Sequence, residues 1–408
     1  MRIIFFLFLF FVSARLIIAQ EMSGIVNGNY AGVNSYVLNP SNMADSKTYM
    51  DINVFTAGLS YQMSTKRAYA GLRLNLPSIL INRGDHAFSF ITSARTAISY
   101  KLNTANNGLY NEFMVAGAAW TEIGLGYSKI YRRYEKNWYT AGLTLKYLMG
   151  AGGSYYTNTS ISYSGSSSLS GNLSNAGFTS GGGMGMGKGM GMDIGFNYQK
   201  KDKFENLPPF QKLCQQKYRT YRYKVGISLV DMGFLKFSDK ANNSSYNSNM
   251  GNVDSVLVQV NDSVSYYINS DSINNTNNSS QFKKSYYVFL PAGACFYLDY
   301  RLTKHWFING KVIKGLNLDE RFIRRPTLIS ITPRYEKRWF EVNFPVGLSD
   351  MNFRMGASVR FWNLTVGTDR LFGLGEGFDA YVSLKMNFQK GKCERNKGII
   401  QPFKQLFK

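Results

Sequence analysis

The sequence predicts an all-β fold, a transmembrane antiparallel β-barrel of about fourteen strands. Three observations carry this. In residues 378–388, Phe378, Ala380, Val382, Leu384, Met386 and Phe388 fall on one side, and Asp379, Tyr381, Ser383, Lys385 and Asn387 on the other. Strict alternation of an apolar side with a side of mixed charge describes a strand between two different solvents. Its length suits a tilted membrane-crossing strand, and an aromatic at each end of the apolar side fits an interfacial girdle. Second, 39 glycines, 15% aromatics and abundant Asn and Ser, with few helix-forming runs, favour strands. Third, residues 1–20 read as a secretory signal peptide: Arg2, then an apolar run from Ile3 to Val12, then Ala19 at a plausible cleavage point. No later stretch is long enough for a membrane helix, which leaves a released, a periplasmic or a closed-barrel product.

The strands follow in order. Met50, Ile52 and Val54 alternate with Asp51 and Asn53, and Ala68, Ala70, Leu72, Leu74 and Leu76 with Arg67, Tyr69, Gly71, Arg73 and Asn75. Residues 86–101 form a weaker third strand, and 102–120 break the pattern as a loop or short helix. Ile123, Leu125 and Tyr127 resume it, and a turn at 134–137 leads into Tyr139, Ala141, Leu143, Leu145 and Tyr147. Residues 150–182 are Gly/Ser-rich and read as a long loop. Met184, Met186, Met190 and Met192 then share a face opposite glycines. They read as lipid-facing, with a soft copper(I) site as the alternative. Tyr223, Val225, Ile227 and Leu229 mark the next strand, and residues 238–285 are Asn/Ser-rich, a second long loop without a core-forming pattern. Strands then come at 286–301, 305–314, 327–336, 338–347, 353–361, 364–370 and 378–388, joined alternately by tight turns and longer links. Tight turns on the periplasmic side put both long loops outside and both termini in the periplasm. Residues 389–408 form a basic tail.

Composition excludes several function classes. The net charge of +22 would ordinarily suggest nucleic acid, but an exported barrel meets lipid and lipopolysaccharide phosphates instead. Cys214, Cys295 and Cys393 are too few and too scattered for a disulfide framework. His86 and His305, the two histidines, lack companions at metal-ligand spacing. No cofactor is expected. With no catalytic motif, and His86 near Ser89 as the sole local pair, the chain reads as not an enzyme. Inward charges on the strands include Arg73, Lys146, Arg354, Arg360 and Lys385. A basic lumen lining would favour anionic or carboxylate-headed solutes.

Residues 21–48 hold NYAGVNSYVLNPSNMADSK without an alternating run, and Asn39, Pro40 and Ser41 form a turn. This stretch resembles the segment that follows the signal peptide in FadL-like outer-membrane barrels. It is closer still to a family of uncharacterised Bacteroidota barrels of PorP/SprF type, with Ser41 in place of their usual alanine. The closing GLGEGFDAYVSLKMNF is similar to that family's last segment. The resemblance implies an N-terminal hatch inside the lumen at residues 21–48, hinged at Asn39, Pro40 and Ser41, ahead of a barrel over 49–388. It implies a passive outer-membrane uptake channel for small hydrophobic or anionic amphiphilic solutes. The alternative it implies is a membrane-anchored partner of a surface secretion or gliding machinery, docking a periplasmic or surface protein, or a structural barrel. Asp-Ser-apolar tripeptides at Ser255, Ser263 and Ser272 resemble the O-glycosylation acceptors of Bacteroidota.

Overall fold

The structure is a computed structural model. It describes residues 21–388 apart from 47, 65–66, 105–109, 135–136, 165–167, 181–184, 202–220, 238–241, 247–255, 258–259, 262, 265–284, 318–320, 351 and 373–376. Residues 1–20, expected as a signal peptide, the basic residues 389–408, Cys214, Cys393, Met184, Ser255 and Ser272 lie outside the described residues, and Ser263 sits in the two-residue strand Ser263–Val264.

Fourteen antiparallel strands close into one cylinder. They are β1 (Met50–Ser64), β2 (Arg67–Asn75 and Ser78–Arg83), β3 (His86–Thr104), β4 (Tyr110–Tyr134), β5 (Asn137–Ser164), β6 (Gly187–Lys200) and β7 (Tyr223–Phe237). The wall continues with β8 (Tyr286–Phe289 and Gly293–Arg301), β9 (Trp306–Gly315), β10 (Leu328–Glu336), β11 (Phe340–Asn343 and Val346–Ser349), β12 (Asn352–Phe361), β13 (Leu364–Phe372) and β14 (Gly377–Phe388). β14 returns to β1 in register from Met50 opposite Phe388 to Gln62 opposite Gly377, so no edge is left open. With an even number of strands, the wall begins and ends at the same rim.

Each of the three divided strands breaks at a proline: Pro77, Pro291 and Pro345. A proline has no N–H for the ladder, so the interruption is local chemistry. At Pro77 the wall is sewn by side chains instead. Asn53 Nδ2 donates to the carbonyls of Asn75 (3.0 Å) and Leu76 (3.1 Å), and Ser78 Oγ to that of Leu76 (2.9 Å).

The cylinder is apolar outside and polar inside, the reverse of a soluble domain. Leu125, Leu145, Met190, Ile227, Ile331 and Phe353 are exposed on its outer face, while Asp51, Arg73, Glu122, Lys146, Asp193 and Arg334 are buried within. Such an outer band wants hydrocarbon around it. Near the rim where the wall begins and ends it meets a belt of aromatics. Tyr139, Tyr198 and Tyr223 meet in series as tilted rings on one side, and on the other Trp306 meets Tyr335 and Trp339 meets Phe361 edge-on, with Trp362 stacked on Phe361. His86 belongs to this belt, bonded to the Tyr127 hydroxyl (2.8 Å), whereas Ser89 faces inward, so the two do not meet. Among the described residues no helix is long and apolar enough to cross a membrane; the strands cross it.

Two sequence expectations are corrected. Residues 110–120 belong to β4, and the Gly/Ser-rich stretch continues β5 to Ser164. Residues 154–164 of β5 leave β6 and pair with a further strand, Ser168–Ser180, which in turn pairs with Asn242–Tyr246. One sector of the wall thus rises well past the bilayer, since 28 residues at about 3.3 Å each far exceed a hydrocarbon core. Beyond the bilayer neither face of a strand meets lipid, so the lipid–water alternation that marks a crossing strand disappears.

Candidate functional site: the filled lumen

Residues 21–46 run through the inside of the cylinder. They form one turn of helix, α1 (Ser23–Val26), and two 3-10 turns, Gly32–Val37 and Pro40–Met43. Elements this short leave most of their backbone N–H groups without internal partners, and a buried orphan donor is costly. The wall supplies the acceptors. Ser23 N donates to Asp369 (3.0 Å), Gly24 N to the Tyr381 hydroxyl (3.0 Å), Asn29 N to Glu336 (3.1 Å), Val33 N to Asp51 (2.8 Å) and Ala44 N to Ser128 Oγ (2.7 Å). The segment's carbonyls are served the same way. Lys385 Nζ donates to those of Tyr30 (2.6 Å) and Ala31 (2.7 Å), and Arg334 Nη1 to that of Asn27 (3.0 Å).

The turn at Asn39, Pro40 and Ser41 is fixed hardest. Asn39 Oδ1 accepts from Ser41 N (2.9 Å), which caps the 3-10 turn. Its Nδ2 reaches the wall, donating to Asn197 Oδ1 (3.0 Å) and to the carbonyls of Phe196 and Ile227 (both 3.2 Å). The turn lies on Gly142 and Gly195, which face each other across β5 and β6. A Cβ on Gly142 would stand 2.5 Å from the Pro40 carbonyl carbon, and one on Gly195 would meet the Asn39 amide. Only a bare backbone lets the turn come this close. The three residues expected as the hatch hinge thus lie against the wall on β5 and β6.

The five expected lining cations all point inward and are buried, and each has a carboxylate. Arg73 lies 3.4 Å from Asp231, Lys146 2.8 Å from Asp193, Arg354 2.8 Å from Asp369, Arg360 3.0 Å from Glu341 and Lys385 3.4 Å from Asp51. The expected basic lining is thus neutralised at each of these positions. Arg73 and Lys146 also join a larger set that sequence reasoning missed. Asp231 contacts Arg95 (2.6 Å), Lys146 (3.0 Å), Arg73 and Arg325 (both 3.4 Å), and Arg325 also holds Glu21 (3.2 Å). Glu122 pairs with Arg95 (2.9 Å) and accepts from Trp120 Nε1 (2.8 Å). Four cations thereby meet Glu21, Glu122, Asp193 and Asp231, one side chain from each of β2 to β7 plus two from outside the wall. Charges removed from water this completely persist only when paired on all sides. Alternation on the third strand could have revealed Arg95, which lies opposite Arg73 in register. Asp231 could not be found that way: its φ is +56° and the β6–β7 ladder shifts register beside it.

The match to known proteins begins inside the raised wall sector. Residues 154–369, more than half of the chain, match the family described as Family of unknown function (DUF5723). The chain belongs to DUF5723. No curated protein matches it. Among solved structures, this DUF5723 member is similar to the toluene transporter TodX of Pseudomonas putida at 10% identity and TM-score 0.41, over 91% of this chain and 96% of that one. A TodX monoaromatic hydrocarbon channel deltaS2 mutant gives 10% identity and TM-score 0.42, over 88% and 95%. The translocator domain of the autotransporter NalP from Neisseria meningitidis gives 8% and 0.36, over 83% and 88%. At these scores the likeness carries no argument. The assignment as an outer-membrane-type barrel stands on the closed ladder, the apolar outer face and the aromatic belt.

Proposed function

We propose that this DUF5723 protein is a gated passive channel of the outer membrane, with residues 21–48 as its hatch. One observation carries the reading. Among the described residues, no backbone–backbone hydrogen bond joins residues 21–48 to the barrel strands; the segment is held by side chains. It can leave the lumen without breaking any rung of the wall. Pairing of the lining cations favours uncharged, apolar solutes over anions, because no positive surplus at those sites is left to draw a carboxylate. Deleting residues 21–48 should raise liposome swelling by small uncharged solutes at least tenfold, in protein that still migrates as a folded barrel. The milder double change Asn39→Ala and Glu336→Gln, which loosens the hatch in place, should raise it less. Unchanged swelling in both contradicts gating.

A second reading rests on the raised sector of β4 and β5. A sheet standing past the bilayer on one side of the barrel suits a membrane-anchored assembly partner, as the PorP/SprF-like resemblance implies. Replacing residues 155–180 by a short turn should then abolish crosslinking to a surface or periplasmic protein while leaving swelling unchanged. Crosslinking that survives the replacement counts against it.

A further inference from the structure

On the outer face, at the ends of β6, β7 and β8 away from the belt of Tyr139, Tyr198 and Tyr223, the side chains lie in two rows. Register places Met149, Lys188, Lys236 and Tyr287 side by side across β5 to β8. One step nearer the bilayer centre, Tyr147, Met190, Phe234 and Phe289 form the second row. Along β6, Lys188 and Tyr198 lie ten residues apart. At about 3.3 Å per residue and a strand tilt of roughly 40°, that separation is about 25 Å, the height of an apolar band. The first row therefore sits at headgroup level and the second at the edge of the hydrocarbon.

The second row is rich in rings. Phe234 meets Tyr287 (centroids 5.7 Å apart) and Phe289 (6.5 Å) edge-on, and Phe289 stacks on Phe322 (4.6 Å). Phe322 comes from the connector after β9. Phe289 N donates to the Arg321 carbonyl and Ile323 N to the Phe289 carbonyl (both 3.0 Å), so residues 321–323 run beside β8. The same connector delivers a cation. The Arg321 guanidinium stands 5.4 Å over the Phe289 ring, as Lys236 Nζ stands 5.7 Å over that of Tyr287.

Lys188 and Lys236 are the anomaly in this arrangement. They are directly opposite on neighbouring strands, both are exposed, and among the described residues neither has a carboxylate partner. Like charges directly opposed weaken a strand pair. Inside the barrel each of the five lining cations has its carboxylate; here two cations share a boundary between lipid tails and headgroups with none. An anion seated between them removes the repulsion.

We infer that Lys188 and Lys236 hold the phosphomonoester headgroup of one membrane lipid, whose acyl chains lie along the row of Tyr147, Met190, Phe234 and Phe289. Charge and shape agree. A phosphomonoester carries about −1.5 to −2 charges and matches two lysines, where a phosphodiester offers a single one. Its oxygens accept charge-assisted hydrogen bonds from both ammonium groups. Chains descending from that headgroup meet the rings first and then Met192 and Ile194 on β6. Arg321 adds positive field beside Phe289. The site needs only a wall that faces lipid, so it stands or falls apart from the channel reading.

Native mass spectrometry of the full-length, delipidated protein in detergent provides the test. Phosphatidic acid is the phosphomonoester probe, phosphatidylglycerol the phosphodiester probe and inorganic phosphate the probe without chains. One phosphatidic acid should be retained at a concentration at least tenfold below that needed for phosphatidylglycerol, and excess inorganic phosphate should not displace it. In the double variant Lys188→Gln and Lys236→Gln the preference should fall below twofold. The control, Lys304→Gln with Lys337→Gln, removes the same charge at the rim where the wall begins and ends; Lys337 also stands over a tyrosine, Tyr335 (5.4 Å). The control should keep the preference. Equal retention of the two lipids by the unaltered protein overturns the site. So does a preference that survives in the Lys188 and Lys236 variant, or one that the control loses as fully. Displacement by inorganic phosphate means an ion site that takes no lipid, and it too overturns the inference. If the double variant does not assemble, Lys236→Gln alone should cut the preference at least threefold, and an unaltered preference there overturns the site.

Discussion

Asn39 and Asn197 meet across the lumen floor, with Nδ2 of the first 3.0 Å from Oδ1 of the second. The contact ties a segment that belongs to no strand to β6, near its Lys200 end. Asn197 is itself held from both sides. Its Nδ2 donates to Asn42 Oδ1 (2.9 Å), and its Oδ1 also accepts from the Tyr297 hydroxyl (2.6 Å). A small network of amides and one phenol, buried apart from the half-buried Asn42, holds the leading segment at this turn.

Replacing Asn39 by alanine removes the cap of the turn and leaves the wall acceptors unfilled. Lost caps and unsatisfied buried acceptors each cost about 1–2 kcal/mol, so a local loss of roughly 2–4 kcal/mol is expected. Hydrogen exchange should speed at residues 38–46, with the β6–β7 ladder unaffected. Equal protection in the variant and wild type would show that the network does not hold the segment.

The glycine floor gives a steric counterpart. Gly142→Val adds a side chain where the Pro40 and Ser41 backbone lies 2.5–2.6 Å from the new Cβ. The barrel should still form, since the addition points inward and leaves both ladders intact. The 3-10 turn should no longer dock, and protease added to vesicles should cut within residues 21–48. A variant as resistant as the wild type would contradict the docking geometry.

How much of this was legible in the sequence depends on what each residue faces. Where a strand separates lipid from lumen, as at Phe378 to Phe388 or Ala68 to Leu76, alternation writes both faces directly into the residues. All five cations chosen that way, from Arg73 to Lys385, point inward. Legibility fails where the two-solvent contrast ends. The outer parts of β4 and β5 lost their alternation and read as loops. Asp231 sits where the register shifts, so no counting places it. Asn39 and Pro40 marked a turn, but the turn's own residues do not say what it packs against. That is set by Gly142 and Gly195, brought together from two other strands.

The charge cluster carries its own expectation. Removing the hub with Asp231→Asn leaves Arg95, Lys146, Arg73 and Arg325 competing for fewer carboxylates. Breaking a buried pair by deleting one partner costs about 3–5 kcal/mol. Unfolding by urea in detergent or thin bilayers should show a loss on that scale. Lys146→Met, which takes one cation away from Asp193, should cost a comparable amount. A loss under about 1 kcal/mol in both would place the cluster in water rather than in a closed interior.

On the outer face the expectation reverses. Leu143 lies midway between Tyr139 and Tyr147 on the lipid side of β5. Leu143→Arg should destabilise the folded barrel by about 2–4 kcal/mol, as a charge at the bilayer midplane does. The same change at Tyr139, in the interfacial belt, should cost less than half as much. Equal costs at the two positions would mean that no hydrocarbon layer surrounds this wall.

The central claim is that a single cylinder faces lipid with one set of side chains and its own leading segment with the alternate set. Photolysis of the unaltered protein in vesicles of a diazirine-tailed lipid tests it residue by residue along β5. Carbene adducts should fall on Leu143, Leu145 and Tyr147 and be absent from Thr144, Lys146 and all of residues 21–46. Adducts on Thr144 and Lys146 at the level of Leu145, or any labelling of the leading segment comparable to the wall, would contradict it.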